Sequence, residues 1–316
     1  MNKSLHKPVL LEEILSLLKL EEGSNCVDCT LGGGGYSLAI SKEIGESGQL
    51  LSIDLDFEAI SRFKEIVSRE KRENIILQVG NFADIDTLVE KNFKTKVKFS
   101  AIVADLGLSM DQLKDDSRTF SFSSSANLNF SYSQEANFGK AMGIINSASA
   151  YKLEEILKKY GEERFARLIA KNIVKERKNE KIRTGFQLKE VIETSVPKRY
   201  WPQHVSVATK TFQALRIVVN EELENLEKFL PKALKLLKPG GRLAVVSFHS
   251  LEDRIVKRYF KKEASTCICP AELAICQCGH KAEIKIINKK PIIASEKELQ
   301  NNPSSRSAKL RVIEKI

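Results

Sequence analysis

The sequence predicts an α/β fold, a parallel sheet covered by helices on both faces, with a helical domain inserted into it. Three observations carry that prediction. Apolar runs of strand length alternate with helix-period segments from Asn25 to Gly107, four glycines (32–35) join the first strand to its helix, and after Gly107 the alternation stops, to resume near Asn220. Alternation of this length implies right-handed crossovers and a sheet buried on both faces.

Element by element, "VLLEEILSLLKL" spaces its apolar residues as a helix does, and "NCVDC" reads as a short buried strand entering the glycine loop. "YSLAISKEI" follows as a helix, "GQLLSIDLD" as a strand ending in acid, and "FEAISRFKEIV" as a helix. "NIILQVGNF" and "FSAIVADLG" are further strands. The stretch "DDSRTFSFSSSANLNFSYSQEANFGK" is then rich in Ser and Asn, and 151–196 reads as helical and basic. A helix from about Asn220 to Leu237, the strand in "KPGGRLAVVSFHS" and the helix "LEDRIVKRYF" complete the pattern. The expected division is 1–111 and 207–316 for the α/β domain and 112–206 for the insertion. No internal repeat is evident.

Composition narrows the class. No interior run of eighteen apolar residues occurs in the 316, which argues against a membrane span. The N-terminus carries Glu12 and Glu13 among its leucines and lacks a small-residue cleavage site, so a cytoplasmic protein is expected. The 51 basic and 41 acidic side chains leave a net +10, and +7 of it lies in 151–210, where 15 Lys and Arg face 8 Asp and Glu. That segment is the candidate nucleic-acid face. Monomer and homodimer both stay open.

In an open parallel sheet, ligands bind at the carboxyl ends of the strands, where strand order reverses. Those ends hold the glycine loop, Asp54, Asn81-Phe82, Asp105 and Ser247-Phe248-His249. A phosphate cradle of the Walker type needs Lys and Ser or Thr after its last glycine, but Tyr36-Ser37 stand there. Asp54, 20 residues past Gly34, suits ribose hydroxyls in either a dinucleotide or S-adenosylmethionine (AdoMet). Asp105 favours AdoMet, whose ammonium and adenine amine are donors that a pyrophosphate does not offer. By strand position Asp105 is the best-placed acid and so the catalytic candidate, with orienting the cofactor as its alternative role.

The segments "TLGGGGYS", "GEERFARLIAKNIVKER", "TKTFQALRIVVNEEL", "LKPGGRLAVVSFHSLEDRIVKRYF" and "NNPSSRSAKLRV", in this order, resemble the bacterial RsmH (MraW) family of small-subunit ribosomal RNA cytosine-N4 methyltransferases. The resemblance spans nearly the whole chain. It implies a class I (Rossmann-like) AdoMet-dependent methyltransferase fold with an inserted helical domain, acting on a cytidine in the decoding region of 16S rRNA. It places AdoMet contacts on Gly34, Gly35, Tyr36, Asp54, Phe82, Asp105 and Gln112, with bare glycine backbone against the methionine moiety. Arg118, Phe120, Phe122, Arg216, His249 and Arg306 are the RNA-facing candidates, the phenylalanines with Phe248 as walls for an extruded base and Arg216 and Arg306 as phosphate partners. Ser250 is expected to cap the helix after His249.

The chain departs from the family in three places. Tyr36 replaces a usual His, Arg118-Thr119-Phe120-Ser121-Phe122 replaces Arg-Gly-Phe-Ser-Phe, and 128–133, "LNFSYS", replaces Leu-Asp-Met-Arg-Met-Asp. The last change removes one cation and two acids, so a slow or inactive AdoMet-binding RNA or ribosome-assembly protein is the alternative reading. Cys267, Cys269, Cys276, Cys278 and His280 supply enough soft ligands for a tetrahedral zinc, but C-x-C is tighter than a usual zinc knuckle. The resemblance implies no essential metal, so none is assigned and an exposed reducible hairpin is expected. Cys26 and Cys29 read as small core residues.

Overall fold

The computed structural model describes residues 7–94, 96–115, 118–122, 124–132, 139–270, 273 and 275–316. The chain forms two compact units, Met1–Gly107 with Leu223–Ile316, and Leu108–Glu222. The first begins α1 (Leu11–Leu18), β1 (Asn25–Asp28), α2 (Gly35–Ile44), β2 (Gln49–Asp54), α3 (Phe57–Glu70), β3 (Ile75–Val79), α4 (Ile85–Asn92) and β4 (Phe99–Asp105). The second holds α5 (Met110–Lys114), α6 (Lys140–Ser147), α7 (Ala150–Gly161), α8 (Ala166–Glu176), α9 (Gly185–Ser195) and α10 (Thr209–Asn220). Most of α11 (Glu222–Leu236) then returns the chain to the first unit, followed by β5 (Leu237–Ser247), α12 (Ser250–Glu263), β6 (Ile284–Ile286), α13 (Glu296–Asn301) and β7 (Lys309–Lys315).

The sheet order is β3-β2-β1-β4-β5-β7-β6. β1 to β5 pair in parallel, whereas β7 runs antiparallel to both β5 and β6. The chain therefore steps outward from β1 to β3 and restarts on the other side of β1 with β4, which makes the β1/β4 boundary the switch point.

Side-chain alternation sorts the strands into two cores. Val27, which pairs with Leu51 and Ile102, lies with Leu243 on the face packed by Val89 of α4, Phe229 of α11 and Phe260 of α12. Cys26, one residue earlier and paired with Leu50 and Ala101, joins Ile14 of α1, Ile40 of α2 and Phe63 of α3 on the other. Every residue of β4 is buried, as a central parallel strand requires. Each fully buried Leu, Ile or Phe in these cores contributes about 1.5–3 kcal/mol.

The helical unit has a core of its own. α7 turns Leu153, Ile156 and Leu157 inward and α8 turns Ala166, Ile169, Ala170 and Ile173, the spacing of a single apolar face. The unit runs from Leu108 to Glu222, wider than the expected 112–206, because α10 buries Phe212, Leu215 and Val219 in the helical core. A Cβ added to Gly161 of α7 would lie 2.6 Å from the Lys210 carbonyl oxygen, so α7 and α10 pack too closely there for any side chain.

Candidate cofactor site and nucleic-acid face

Three neighbouring strands, β1, β2 and β4, each end in an aspartate: Asp28, Asp54 and Asp105. Asp28 is completely buried and is the acid the sequence reading missed. "NCVDC" reads as a short buried strand, and the strand-end rule that selects Asp54 applies equally to the Asp28 within it. Its Oδ2 accepts from Ser37 Oγ at 2.6 Å, and its Oδ1 accepts from the Thr30 N–H at 3.2 Å. Burial pushes its carboxyl up to about 6, hydrogen bonds from Ser37 and Thr30 oppose the rise, and the charges of Asp105 and Asp54 add to it.

Asp54 locks the glycine loop. Its Oδ2 accepts from the Gly32 N–H and its Oδ1 from the Asp56 N–H, both at 2.8 Å. Asp105 is buried, and its own N–H donates to Thr30 Oγ1 at 2.7 Å, which ties the end of β4 to the residue after β1. At the end of β3, Asn81 Oδ1 accepts from the Ala83 N–H at 2.9 Å and opens a short 3-10 turn. The first residue of that turn, Phe82, is half-buried and stands edge-on to Phe229 with ring centroids 5.2 Å apart.

Gly34 and Gly35 are bare for a reason inside the fold. Gly34 has φ +80°, and a Cβ there would lie 1.9 Å from Phe63 Cε2; a Cβ on Gly35 would lie 2.6 Å from Pro8 Cγ. Packing inside the protein thus forbids side chains at both positions, whatever binds nearby. Tyr36 is buried, its hydroxyl donates to the Val9 carbonyl, and burial raises the phenol well above its ordinary value. What 34–36 can offer a ligand is main chain at the start of α2, where Gly34 provides no capping side chain. Gln112, in the helical unit, is committed to a capping box: its Oε1 accepts from the Ser109 N–H at 3.0 Å, and its N–H donates to Ser109 Oγ at 3.2 Å.

Most RNA-facing candidates have structural partners. Arg118 is 1% exposed and donates to Asp115 Oδ2 at 2.9 Å and to the Tyr132 carbonyl, so it organises its own loop instead of meeting phosphate. Phe120 is buried against Phe130 and Tyr132, and Phe122 packs on Phe212 at 4.8 Å; both belong to the helical core. Arg216 forks onto Glu222 through Nε at 2.9 Å and Nη2 at 3.1 Å, while Tyr132 Oη donates to the same carboxylate at 2.7 Å. His249, not Ser250, caps α12: its Nδ1 accepts from the Glu252 N–H, and Glu252 Oε2 accepts in return from the His249 N–H and the Phe248 N–H. An imidazole nitrogen reaches the third helical N–H as a serine hydroxyl does, which leaves Ser250 as the first helical residue. Arg306 is exposed and stays available to a phosphate.

Residues 128–131 of the altered stretch are core, not surface. Leu128, Asn129, Phe130 and Ser131 are all buried. Asn220 donates to the Phe130 carbonyl at 2.7 Å and accepts from the Tyr132 N–H at 2.9 Å, which pins the segment to the end of α10. Thr119, at the family's Gly, has φ +57° and holds that conformation with a 2.5 Å bond from Oγ1 to the Asn127 carbonyl. Ser133 lies outside the described residues.

α8 carries a row of exposed cations. Arg167, Lys171 and Lys175 recur every fourth residue along one face and are exposed, the geometry of a cationic row. Arg177 follows but is half-buried, donating to the Ile145 carbonyl at 2.6 Å. Nearby, Arg164 and Arg199 lie over the exposed ring of Tyr200, 5.2 Å and 4.9 Å from its centroid. No helix among the described residues is long and apolar enough to cross a membrane. The two sheet cysteines are buried, and burial raises the Cys26 thiol to about 12 and the Cys29 thiol well above its ordinary value, as inert core residues require.

The profile of the MraW methylase family matches residues 3–316. A relative from Clostridium botulinum (strain 657 / Type Ba4), named ribosomal RNA small subunit methyltransferase H, is 44% identical over 98% of this chain and 99% of its own. Relatives of the same name are 42% identical in Clostridioides difficile (strain 630), over 98% and 99%, and 41% identical in Thermomicrobium roseum, over 98% and 94%. Among solved structures, an rRNA methylase from Streptococcus thermophilus covers 98% of each chain at 11% identity and a TM-score of 0.44, too loose a likeness to argue from.

Proposed function

Because the chain belongs to the MraW methylase family and is a methyltransferase, we propose that it takes its methyl group from AdoMet and places it on a cytosine N4 of small-subunit ribosomal RNA, in the cytoplasm. One observation carries the reading: Asp28, Asp54 and Asp105 end adjacent strands at the switch point of the sheet.

The residues there suit AdoMet by charge and by hydrogen-bonding sense. A sulfonium and an ammonium are cations, and the ribose diol and adenine amine are donors; Asp54 and Asp105 can meet them, and buried Asp28 adds negative charge behind the loop. Asp54 is the acid for the ribose, Phe82 the aromatic edge for the adenine, and the main chain of 34–36 at the start of α2 the partner for the methionine carboxylate. When bound, AdoMet supplies a methyl group that its sulfonium charge has already activated.

The protein then has to improve a poor nucleophile. Cytosine N4 shares its lone pair with the ring, and a carboxylate accepting one of its hydrogens returns electron density to nitrogen. Asp105 is assigned that role. The base must first leave its stack for an apolar wall, and Phe248, half-buried and 3.6 Å from where a Gly107 Cβ would be, is the aromatic residue that the α/β unit offers. The row Arg167, Lys171 and Lys175 gives the helical unit its grip on phosphate.

The test is incubation with methyl-tritiated AdoMet and small ribosomal subunits from cells lacking the modification. Label should enter the RNA fraction. Label confined to ribosomal proteins would overturn the assignment of substrate.

A further inference from the structure

Between α12 and β6 the chain makes an excursion, 264–282, in which no helix or strand forms among the described residues. Its base is closed. The Glu283 N–H donates to the Glu263 carbonyl at 2.9 Å, and the His280 ring bonds the Lys262 carbonyl at 3.0 Å. Among its described residues the large apolar side chains at the tip face solvent: Ile268, Leu273 and Ile275 are 44%, 46% and 76% exposed. A segment of this length without regular structure needs some other organiser.

Sulfur provides one. The Sγ atoms of Cys267, Cys269, Cys276 and Cys278 all lie within 4.8 Å of one another. Cys267 and Cys276 are 3.4 Å apart, Cys276 and Cys278 3.6 Å, and Cys278 and Cys267 3.8 Å. Four sulfurs at about 2.3 Å from a zinc ion stand about 3.8 Å from each other at the corners of a tetrahedron. A disulfide needs about 2.05 Å between two sulfurs and gives no reason for four to converge.

The main chain turns inward around the same atoms. The N–H of Ile268 and that of His280 donate to Cys278 Sγ at 3.4 Å and 3.5 Å. Those of Cys269 and Gln277 donate to Cys267 Sγ at 3.4 Å and Cys269 Sγ at 3.3 Å. Such N–H···S bonds stabilise thiolates, the form that ligates metal. His280, with its ring engaged by Lys262, stands outside the ligand set.

We propose that Cys267, Cys269, Cys276 and Cys278 bind one structural zinc ion, as a tetrathiolate site that folds the 264–282 excursion. Four protein ligands leave no open position, so the ion has no part in methyl transfer. Soft sulfur in a tetrahedron selects zinc or iron, and zinc is the ion to which we commit.

Elemental analysis of the full chain, purified with a thiol reductant and without chelator, should find one zinc per chain. C276S and C278S should each lose it and become sensitive to proteolysis within 264–282. Retained AdoMet binding in these variants would show that the α/β unit is still folded. Replacing the ion with cobalt should give the intense visible bands of a tetrahedral thiolate complex. Zinc-free wild-type protein with four reactive thiols, two disulfides by mass, iron in place of zinc, or the weak spectrum of octahedral cobalt would each overturn the assignment.

Discussion

Gly34 stands so close to the ring of Phe63 that a Cβ built on it would lie 1.9 Å from Cε2. Gly34 is therefore bare because α3 presses against it, and its φ of +80° adds a second barrier to any side chain. Gly34→Ala is expected to destabilise the protein by about 2–5 kcal/mol, the backbone contributing about 1–2 and the overlap the rest. Phe63→Leu in the same chain should recover the overlap and not the backbone cost. Denaturant unfolding measures both, and a neutral Gly34→Ala would show that the glycine is kept only for a ligand.

Asp28 holds its proton up to about pH 6 in the folded protein, against about 3.9 when unfolded. The folded state binds more protons between those values, so the stability that protonation of Asp28 provides is complete below about pH 4 and lost as pH rises through 6. Asp28→Asn stays neutral throughout. It should exceed the parent in stability by up to about 3 kcal/mol above pH 6, with the difference vanishing below about pH 4, and should bind AdoMet more weakly. A difference that does not vary with pH would contradict the buried acid.

Arg167, Lys171 and Lys175 form the exposed row on α8. Changing all three to Glu should weaken rRNA binding and make its dependence on log salt shallower by about 2–3, since each lost phosphate contact releases about 0.7–0.9 fewer counterions. AdoMet affinity should not change. An unaltered salt slope would assign these charges to a merely solvated face. Arg177→Glu is the contrast: it breaks the bond to the Ile145 carbonyl and should lower stability.

Restoring the family arginine by Ser131→Arg is expected to damage the helical unit. Ser131 is 1% exposed between Phe130, also 1% exposed, and Tyr132, so the longer side chain costs about 1–3 kcal/mol in overpacking before its charge is counted. Asn129 has a buried Oδ1 with no hydrogen-bond partner among the described residues, and Asn129→Asp would put a charge there. Phe130 is packed on Phe212 with centroids 5.1 Å apart and Tyr132 bonds Glu222, so both aromatic side chains of the stretch are engaged within the helical unit. Faster turnover with undiminished stability in Ser131→Arg would contradict this account.

The α/β alternation was legible because strands buried on both faces read as apolar runs; β1 to β4 fall within the stretches read that way, and β5 begins one residue before its stretch, at Leu237. β6, with three residues, and β7 were not read, since "IKI" and "KLRVIEK" resemble ordinary chain until paired. The allegiance of α10 was hidden because an apolar face does not say which core receives it. Arg118 and Arg216 were legible as cations and not as paired cations: Asp115 lies three residues from one and Glu222 six from the other, and only folding brings fork to carboxylate. Asp28 was within reach of the strand-end rule and was lost to the apolar appearance of its neighbours.

Nucleoside mass spectrometry on small-subunit rRNA, after a single round of reaction on subunits from cells lacking the modification, tests the central claim most directly. The account predicts one N4-methylcytidine per subunit with wild-type protein, and with Asp105→Asn the same product formed more slowly at saturating AdoMet. A methyl group on another base or on carbon, or no product from protein that binds AdoMet, would contradict it.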